Sequence, residues 1–269
     1  VGACIDKSRV ANSFSKAAIT YDSAAALQRT VGYELLKLLK LIELHDSKKL
    51  AIQQILDLGC GTGYFSEQLL LRYPTSRLVG LDIAEGMLVH ARQRHRSTRL
   101  HWLCADAENI SLADNSVELI YSSLAIQWCE NLPQLFSEIS RVLTSGGVAL
   151  IATLGPASLF ELKEAWAGID SHVHVNSFVP LDVLLASLPG SLSLEVCQQQ
   201  TRVLEYHKLQ ELTSDLKKIG AHNMNSGESK GLTGRAKVSQ FKQNYERFRQ
   251  SNGKLPASYE VYYLQLKKC

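Results

Sequence analysis

A doubly wound α/β fold around a mainly parallel sheet is predicted by three observations. Short apolar runs alternate with stretches of helical period over about 100 residues after position 50. Three glycines, Gly59, Gly61 and Gly63, fall where an apolar run passes into a helical one. The chain of 269 residues, 45% hydrophobic and 20% charged, has an ordinary globular balance and the length for one large domain or two small ones.

Each element follows from its own stretch. Residues 8–30 are rich in Ala and Ser and predict short helices. Leu35, Leu36, Leu38, Leu39, Leu41, Ile42 and Leu44 recur at three-to-four spacing, an amphipathic helix that packs on something larger, and His45 to Ser47 open a loop. Strands are predicted over 52–58, 78–81, 100–104, 117–122 and 148–153. Helices are predicted between them over 64–72, 85–96 and 134–143, the last ended by Gly146 and Gly147. After Pro156 the rhythm breaks. A long strand over 192–206 and a final one over 259–266 complete a seven-stranded sheet. Helices over 208–219 and 234–250 belong to additions at 156–191 and 207–254 that form a helical cap. The division expected is therefore 1–45, N-terminal helices; 46–155, the core; and 156–269, the rest of the sheet with its cap.

Composition excludes several classes. With 29 basic and 26 acidic residues the net charge is +3, too small an excess for a general polyanion binder, and no basic stripe interleaved with aromatics suggests nucleic acid. No apolar run approaches the roughly 18 residues of a membrane span, and residues 1–9 lack the apolar core of a signal peptide. Six cysteines, at 4, 60, 104, 129, 197 and 269, show no C-x-x-C spacing and read as reduced thiols of a cytoplasmic protein. His172 and His174 form an H-x-H pair without further ligands nearby, so no metal is expected.

Ligands of doubly wound sheets bind beyond the carboxyl ends of the strands. The stretch ILDLGCGTGYFSEQL, 55–69, lies there. A dinucleotide site would want G-x-G-x-x-G, but the third glycine comes one residue early and Tyr64 follows. A P-loop would want G-K-[ST], which is missing. The third reading is the S-adenosyl-L-methionine turn of the common methyltransferase fold, whose D-x-G-x-G-x-G pattern resembles Asp57, Gly59, Gly61 and Gly63 at every position. The flanks decide for it. Asp82 closes the second strand, where a carboxylate can accept from both ribose hydroxyls. Asp106 follows the third strand, where it can receive an adenine amino group; its alternative is a turn cap. Met87 packs on the adenine or in the core. Ser122, Ser123 and Leu124 follow the fourth strand and face the reacting end of the cofactor.

Residues 50–155 thus resemble a class I S-adenosylmethionine-dependent methyltransferase of Rossmann-like fold, which also implies cofactor contacts from Ile83 and Ala107. The flanks narrow the resemblance. SRVANSFSKAAITYDSAAALQ at 8–28, SSLAIQWCENL at 122–132, LKKIGAHN at 216–223, GLTGR at 231–235 and the closing YEVYYLQLKK are similar to the malonyl-acyl carrier protein O-methyltransferases of biotin synthesis, the BioC family. That resemblance implies methyl esterification of the free carboxylate of a malonyl thioester, carried by acyl carrier protein or as malonyl-CoA. It implies no membrane or nucleic-acid partner. A carboxylate with a pKa near 4 is already ionised at neutral pH, so no general base is needed. Tyr21 is the first choice to orient the acceptor carboxylate, with Arg235 second; Gln28 would hold the methionine end of the cofactor, and Gln127 and Trp128 would wall the acceptor pocket. Residues 208–254 hold ten basic and four acidic residues, net +6 against −3 for the remainder, so a basic cap could steer an acidic carrier. The alternatives are a methyltransferase acting on a quinone precursor or a free acid, a protein that binds the cofactor without catalysis, and, last, a nicotinamide dehydrogenase.

Overall fold

In a computed structural model, which describes residues 5–45, 51–170, 173–221 and 234–269, seven strands form one sheet. Four are parallel: β1 (Gln54–Leu58), β2 (Arg77–Asp82), β3 (Leu100–Cys104) and β4 (Val117–Ser123), joined on their far side by the parallel β5 (Leu143–Leu154). β6 (Leu192–Tyr206) and β7 (Leu255–Lys268) finish it antiparallel, in the order β3-β2-β1-β4-β5-β7-β6. Leu58 is level with Leu81, and Asp82 with Cys104. The carboxyl ends of β1, β2 and β3 therefore open on one edge of the sheet.

The alternation of β1 shows how the layers form. Ile55 is buried on one face, among Leu27, Val31 and Leu35 of α2 (Ala26–His45). Leu56 and Leu58 are buried on the other, among Phe136, Ile139 and Val142 of α5 (Leu132–Val142), as period-two geometry requires. α3 (Tyr64–Arg72) and α4 (Glu85–Arg94) fill the crossovers beside β1, β2 and β3.

The Ala/Ser-rich start is not several short helices. It is one 18-residue helix, α1 (Lys7–Ala24), capped by Asp6, whose side chain accepts from Arg9 N, and followed after Ala25 by α2. α5 starts two residues earlier than the spacing predicts, because Asn131 caps it through Gln134 N. It also ends at Val142, before the glycine pair, which instead lies within β5. β7 is longer than its apolar run because fourteen residues pair across to β6. α6 (Phe160–Trp166), α7 (Leu181–Ala186), α8 (Leu209–Lys218) and α9 (Arg235–Glu246) lie in the two predicted additions. Asn244 of α9 donates to Ala165 O of α6 at 2.9 Å, and Thr20 of α1 donates to Lys218 O of α8 at 2.9 Å. No described helix is long and apolar enough to cross a membrane.

Candidate active site

The glycine turn divides its work. Gly59, Gly61 and Gly63 all have positive φ, +75°, +54° and +78°. A Cβ on Gly59 would stand 2.2 Å from the Ala125 side chain, and one on Gly63 would stand 2.4 Å from the Trp102 ring. A Cβ on Gly61 would meet nothing within 4 Å. Gly61 therefore presents bare main chain to an open cleft. Gly63, also expected as a cofactor contact, caps α3 against Trp102 and is not among the residues lining the three cavities described below.

Two carboxylates hold this turn. The Asp82 carboxylate accepts from Gly61 N at 2.9 Å and from Ala84 N at 2.8 Å. Burial raises its pKa, and these backbone bonds work against the rise. Asp57 is buried and accepts from Ser66 Oγ at 2.5 Å. Burial pushes its carboxyl up to about 7, with the Ser66 bond opposing and the Asp82 charge adding to the shift.

α1 straps the cleft. At its start, Lys7 Nζ lies 2.6 Å from Asp106 and 2.8 Å from Glu108. At its end, Asp22 accepts from Thr62 Oγ1 at 2.8 Å and pairs with Arg94. Between them, Gly86 N donates to Ser15 Oγ at 3.1 Å, and a Cβ on Gly86 would collide with Ser15 at 2.7 Å. The Asp106 carboxylate, expected to be open to an adenine amino group, is thus engaged by Lys7. Lys7 and Asp106 lie 99 positions apart, and no local pattern marks the pair.

Three cavities meet under this strap. One is lined by Gly61, Asp82, Ile83, Met87, Asp106 and Ala107. A second, across Gly61, is lined by Gln28, Asp57, Thr62 and Ser123. The third and largest, about 540 Å³, is walled by Gln127, Trp128, Trp166 and His174 and is mostly apolar. Tyr21 lines all three. Burial, then the Asp82 and Asp22 charges, raises its pKa, so the phenol stays protonated and is a donor at neutral pH. Gln28 Oε1 and Ser123 Oγ are buried with no hydrogen-bond partner among the described residues. A buried acceptor left unsatisfied is costly, and a polar ligand relieves it.

Two further expectations are corrected. Of the three residues expected there, Ser122 is fully buried inside β4 and donates to Leu58 O at 2.8 Å, whereas Ser123 and Leu124 line the cleft. Arg235 is exposed at the first position of α9 and lines none of the three cavities. Gln127 and Trp128 do face the large cavity. Gln127 Nε2 is fixed on Leu124 O at 2.7 Å, and Trp128 meets Phe14 edge-on at 5.5 Å. Leu124, in left-handed conformation at φ +54°, turns the chain here.

His174 stacks on Trp166 with ring centroids 3.7 Å apart and pairs with Asp170 at 2.7 Å. Its H-x-H partner His172 lies outside the described residues, as do residues 222–223 of LKKIGAHN and 231–233 of GLTGR. Among the described residues no cluster could hold a metal ion. Lys7, Phe14 and Asp22 are functional-site residues that sequence reasoning missed. Phe14 and Asp22 carried a signal, as the aromatic and the acid of the N-terminal stretch that holds Tyr21; Lys7 carried none.

Comparison with known proteins gives the context. The family model described as a methyltransferase domain matches residues 56–151. A malonyl-[acyl-carrier protein] O-methyltransferase of Methylovorus sp. (strain MP688) is 43% identical over 267 residues, covering 96% of this chain and 88% of that protein. The biotin biosynthesis bifunctional protein BioHC of Cellvibrio japonicus (strain Ueda107) is 48% identical over 275 residues, covering 98% of this chain and 51% of that protein. The chain spans about half the length of such bifunctional relatives. Among solved structures, the YcgJ protein of Bacillus subtilis shares the fold at a TM-score of 0.57 and 19% identity, over 88% of this chain and 98% of that one.

Proposed function

The chain belongs to the malonyl-[acyl-carrier protein] O-methyltransferase family, and from that membership and its cleft we propose that it transfers a methyl group from S-adenosyl-L-methionine to the free carboxylate of a malonyl thioester. The observation that carries this reading is the position of Tyr21. Its protonated phenol stands where the two cavities beside the glycine turn meet the large, largely apolar one.

The cofactor fits the residues present. Gly61 leaves room for a ligand against its main chain, Gln28 Oε1 and Ser123 Oγ await donors, and Asp57 and Asp82 supply negative charge. In this reading Asp82 uses its remaining lone pairs for the ribose hydroxyls, and Ile83, Met87 and Ala107 flank the adenine. Asp57 and Gln28 hold the charged methionine end. Bound there, the cofactor supplies a methyl group activated by its sulfonium.

The protein's own part is alignment and exclusion of water. The acceptor carboxylate is ionised at neutral pH and needs no base. Tyr21 donates to one carboxylate oxygen and leaves the other free to be the nucleophile. Trp128, Phe14 and Leu124 keep water from the junction. Holding an ionised acceptor at one place in an apolar cavity is where most of the rate advantage arises. In this scheme residues 1–45 roof the cofactor, 46–155 hold it and 156–269 complete the sheet and wall the acceptor. The reaction belongs in the cytoplasm, and the ester masks a charge for later steps of biotin synthesis. The thioester carrier is acyl carrier protein, with malonyl-CoA as a simpler substitute, and neither nucleic acid nor a membrane takes part.

Incubation with methyl-labelled cofactor and a panel of thioesters tests the scheme, read by mass. Malonyl thioester gains one methyl, succinyl thioester reacts about 10²-fold more slowly because its carboxylate is displaced by about 1 Å, and acetyl thioester does not react. Methylation of a free acid or a quinone precursor with none on malonyl thioester would overturn it.

A further inference from the structure

α1 turns two faces to different surroundings. Ala17 and Ala18 are buried, and Phe14 and Tyr21 line the cleft. Lys16, Ile19, Thr20 and Ser23 recur at three-to-four spacing on the outer face, and all are exposed. Ile19, at 84% exposure, is the most exposed large hydrophobic side chain among the described residues. A single exposed apolar residue needs no explanation; the surroundings of this one do.

The carboxyl end of α8 lies against the same face. Thr20 Oγ1 donates to Lys218 O at 2.9 Å, and Ser13 Oγ donates to Gly220 O at 3.0 Å. Lys217, the next residue along, lines the large cavity. Lys16 and Ile19 thus share the face of α1 against which the Lys218 main chain lies, and Lys217 leads from that corner to the large cavity. Lys16 and Lys217 form no ion pair with a described residue, and Lys218 has only Asp215 at 3.9 Å. The charges of α9 differ: Lys237 is paired with Asp170 at 3.0 Å, and just beyond the helix Arg249 is paired with Glu246 at 2.7 Å. Arg235 and Lys242 of α9 are exposed and form no ion pair with a described residue, so the basic excess of residues 208–254 is neutralised only in part; the open charge at the end of α8 is the part that lies beside the outer face of α1.

We infer that this α1–α8 corner is the docking surface for the acyl carrier protein, an inference that rests on the carrier reading above. The partner it fits is acidic, with carboxylates facing the three lysines and a small apolar side chain against Ile19. Its prosthetic arm then enters the large cavity past Lys217. Charge complementarity speeds encounter and sets orientation, and apolar contact fixes the register. The competing role for Lys217 and Lys218 is to complement the dipole of α8 from its last turn.

The test is the variant Lys16→Glu/Ile19→Glu/Lys218→Glu, in the full chain. Binding of holo-acyl carrier protein bearing no acyl group is measured by fluorescence anisotropy, beside kcat/KM on malonyl-CoA. The expected result is carrier binding at least about tenfold weaker, with malonyl-CoA turnover within about twofold and wild-type carrier binding that weakens as salt rises. Carrier binding unchanged, or losses equal on both substrates, would overturn the assignment. Unchanged carrier binding with an altered sedimentation coefficient would give the face to a second copy of this chain and overturn it likewise. Should the triple variant not fold, Lys16→Gln/Lys218→Gln carries the same test, with an expected loss of about threefold. Carrier binding is read without chemistry. A wild-type protein that binds carrier but methylates no malonyl thioester therefore refutes the catalytic reading and leaves the docking surface standing.

Discussion

The cofactor half of the cleft is built on the glycine turn and on short acids at the ends of neighbouring parallel strands, mostly between Asp57 and Ala107, with additions from the first two helices, the end of β4 and the loop after it. The acceptor half is walled by rings and long apolar side chains drawn from positions as far apart as Phe14 and Tyr259. In the first half, backbone geometry dictates residue type: Gly61 is a glycine because only main chain leaves the space, and Asp82 is an acid because two backbone N–H groups point at it. In the second, any side chain of suitable volume would serve. A site built from backbone constrains its sequence tightly, whereas a site built from packed side chains constrains only a shape.

Substitutions can break this contrast. The largest effect is expected from Gly61→Arg, which fills the one open face of the turn. Calorimetry should show no cofactor binding, while the left-handed φ costs about 1–2 kcal/mol of stability and leaves a cooperative thermal transition. Retained cofactor affinity would place the cofactor elsewhere. Next comes Tyr21→Phe, on the boundary between the halves. Turnover should fall about 10- to 100-fold, with cofactor affinity within about twofold. A matching loss of cofactor affinity would move Tyr21 into the cofactor half.

A pH titration sharpens the cofactor side. The Asp57 carboxyl sits at about 7 in the free protein because it is buried, so it is mostly protonated at pH 6 and mostly ionised at pH 8. A cationic ligand binds the ionised form better, and binding lowers this raised pKa. Affinity should therefore rise with pH through 7, by about tenfold between pH 6 and pH 8, and Asp57→Asn should flatten the dependence relative to wild type. An identical slope in both proteins would remove Asp57 from the linkage. A smaller effect is expected from Lys7→Met, which frees Asp106 and Glu108 at a partly exposed ion pair. Cofactor affinity should change by no more than about threefold, since such pairs are worth about 0.2–1 kcal/mol. Arg235→Ala, exposed and away from every cavity, should leave both affinity and turnover unchanged; a large loss of turnover would restore it to the acceptor half.

The same contrast explains what was legible in the sequence. β1, β2 and β3 carry apolar runs that end at the cleft, and Gly59, Gly61, Asp82, Ile83 and Met87, all named from the sequence, line it. Gly63 has a packing reason to be glycine, since a Cβ there would meet the Trp102 ring. Ser122, expected in the cleft together with Ser123, is turned away from it because β4 continues through both serines, and each step along a strand reverses the side chain's direction. The Lys7–Asp106 pair was illegible, because it depends on how α1 lies across the sheet. Arg235 belongs to a segment whose motif matched, yet its position on α9 turns it to solvent. The hydroxyl of Tyr21 is placed by α1 as a whole, through Asp22 and Gly86, neither of which is adjacent to the glycine turn in sequence.

The anchoring of α1 also bears on turnover as a cycle. A donor used once must leave as spent product before the next can enter, and the helix above it is tied at both ends and in the middle. Five polar contacts do this: Lys7 with Asp106 and with Glu108, Ser15 with Gly86, and Asp22 with Thr62 and with Arg94. At about 0.5 kcal/mol each for partly exposed pairs, they hold the roof shut by about 2–3 kcal/mol. The buried Val10, Ala17 and Ala18 of the same helix add to that hold. In the proposed reaction this helix has to move on the microsecond-to-millisecond scale of loop and helix motions for donor to exchange, and its closed position keeps water from the acceptor. Screening by salt loosens that hold, so the step most exposed to ionic strength on the donor side is the release of the spent donor.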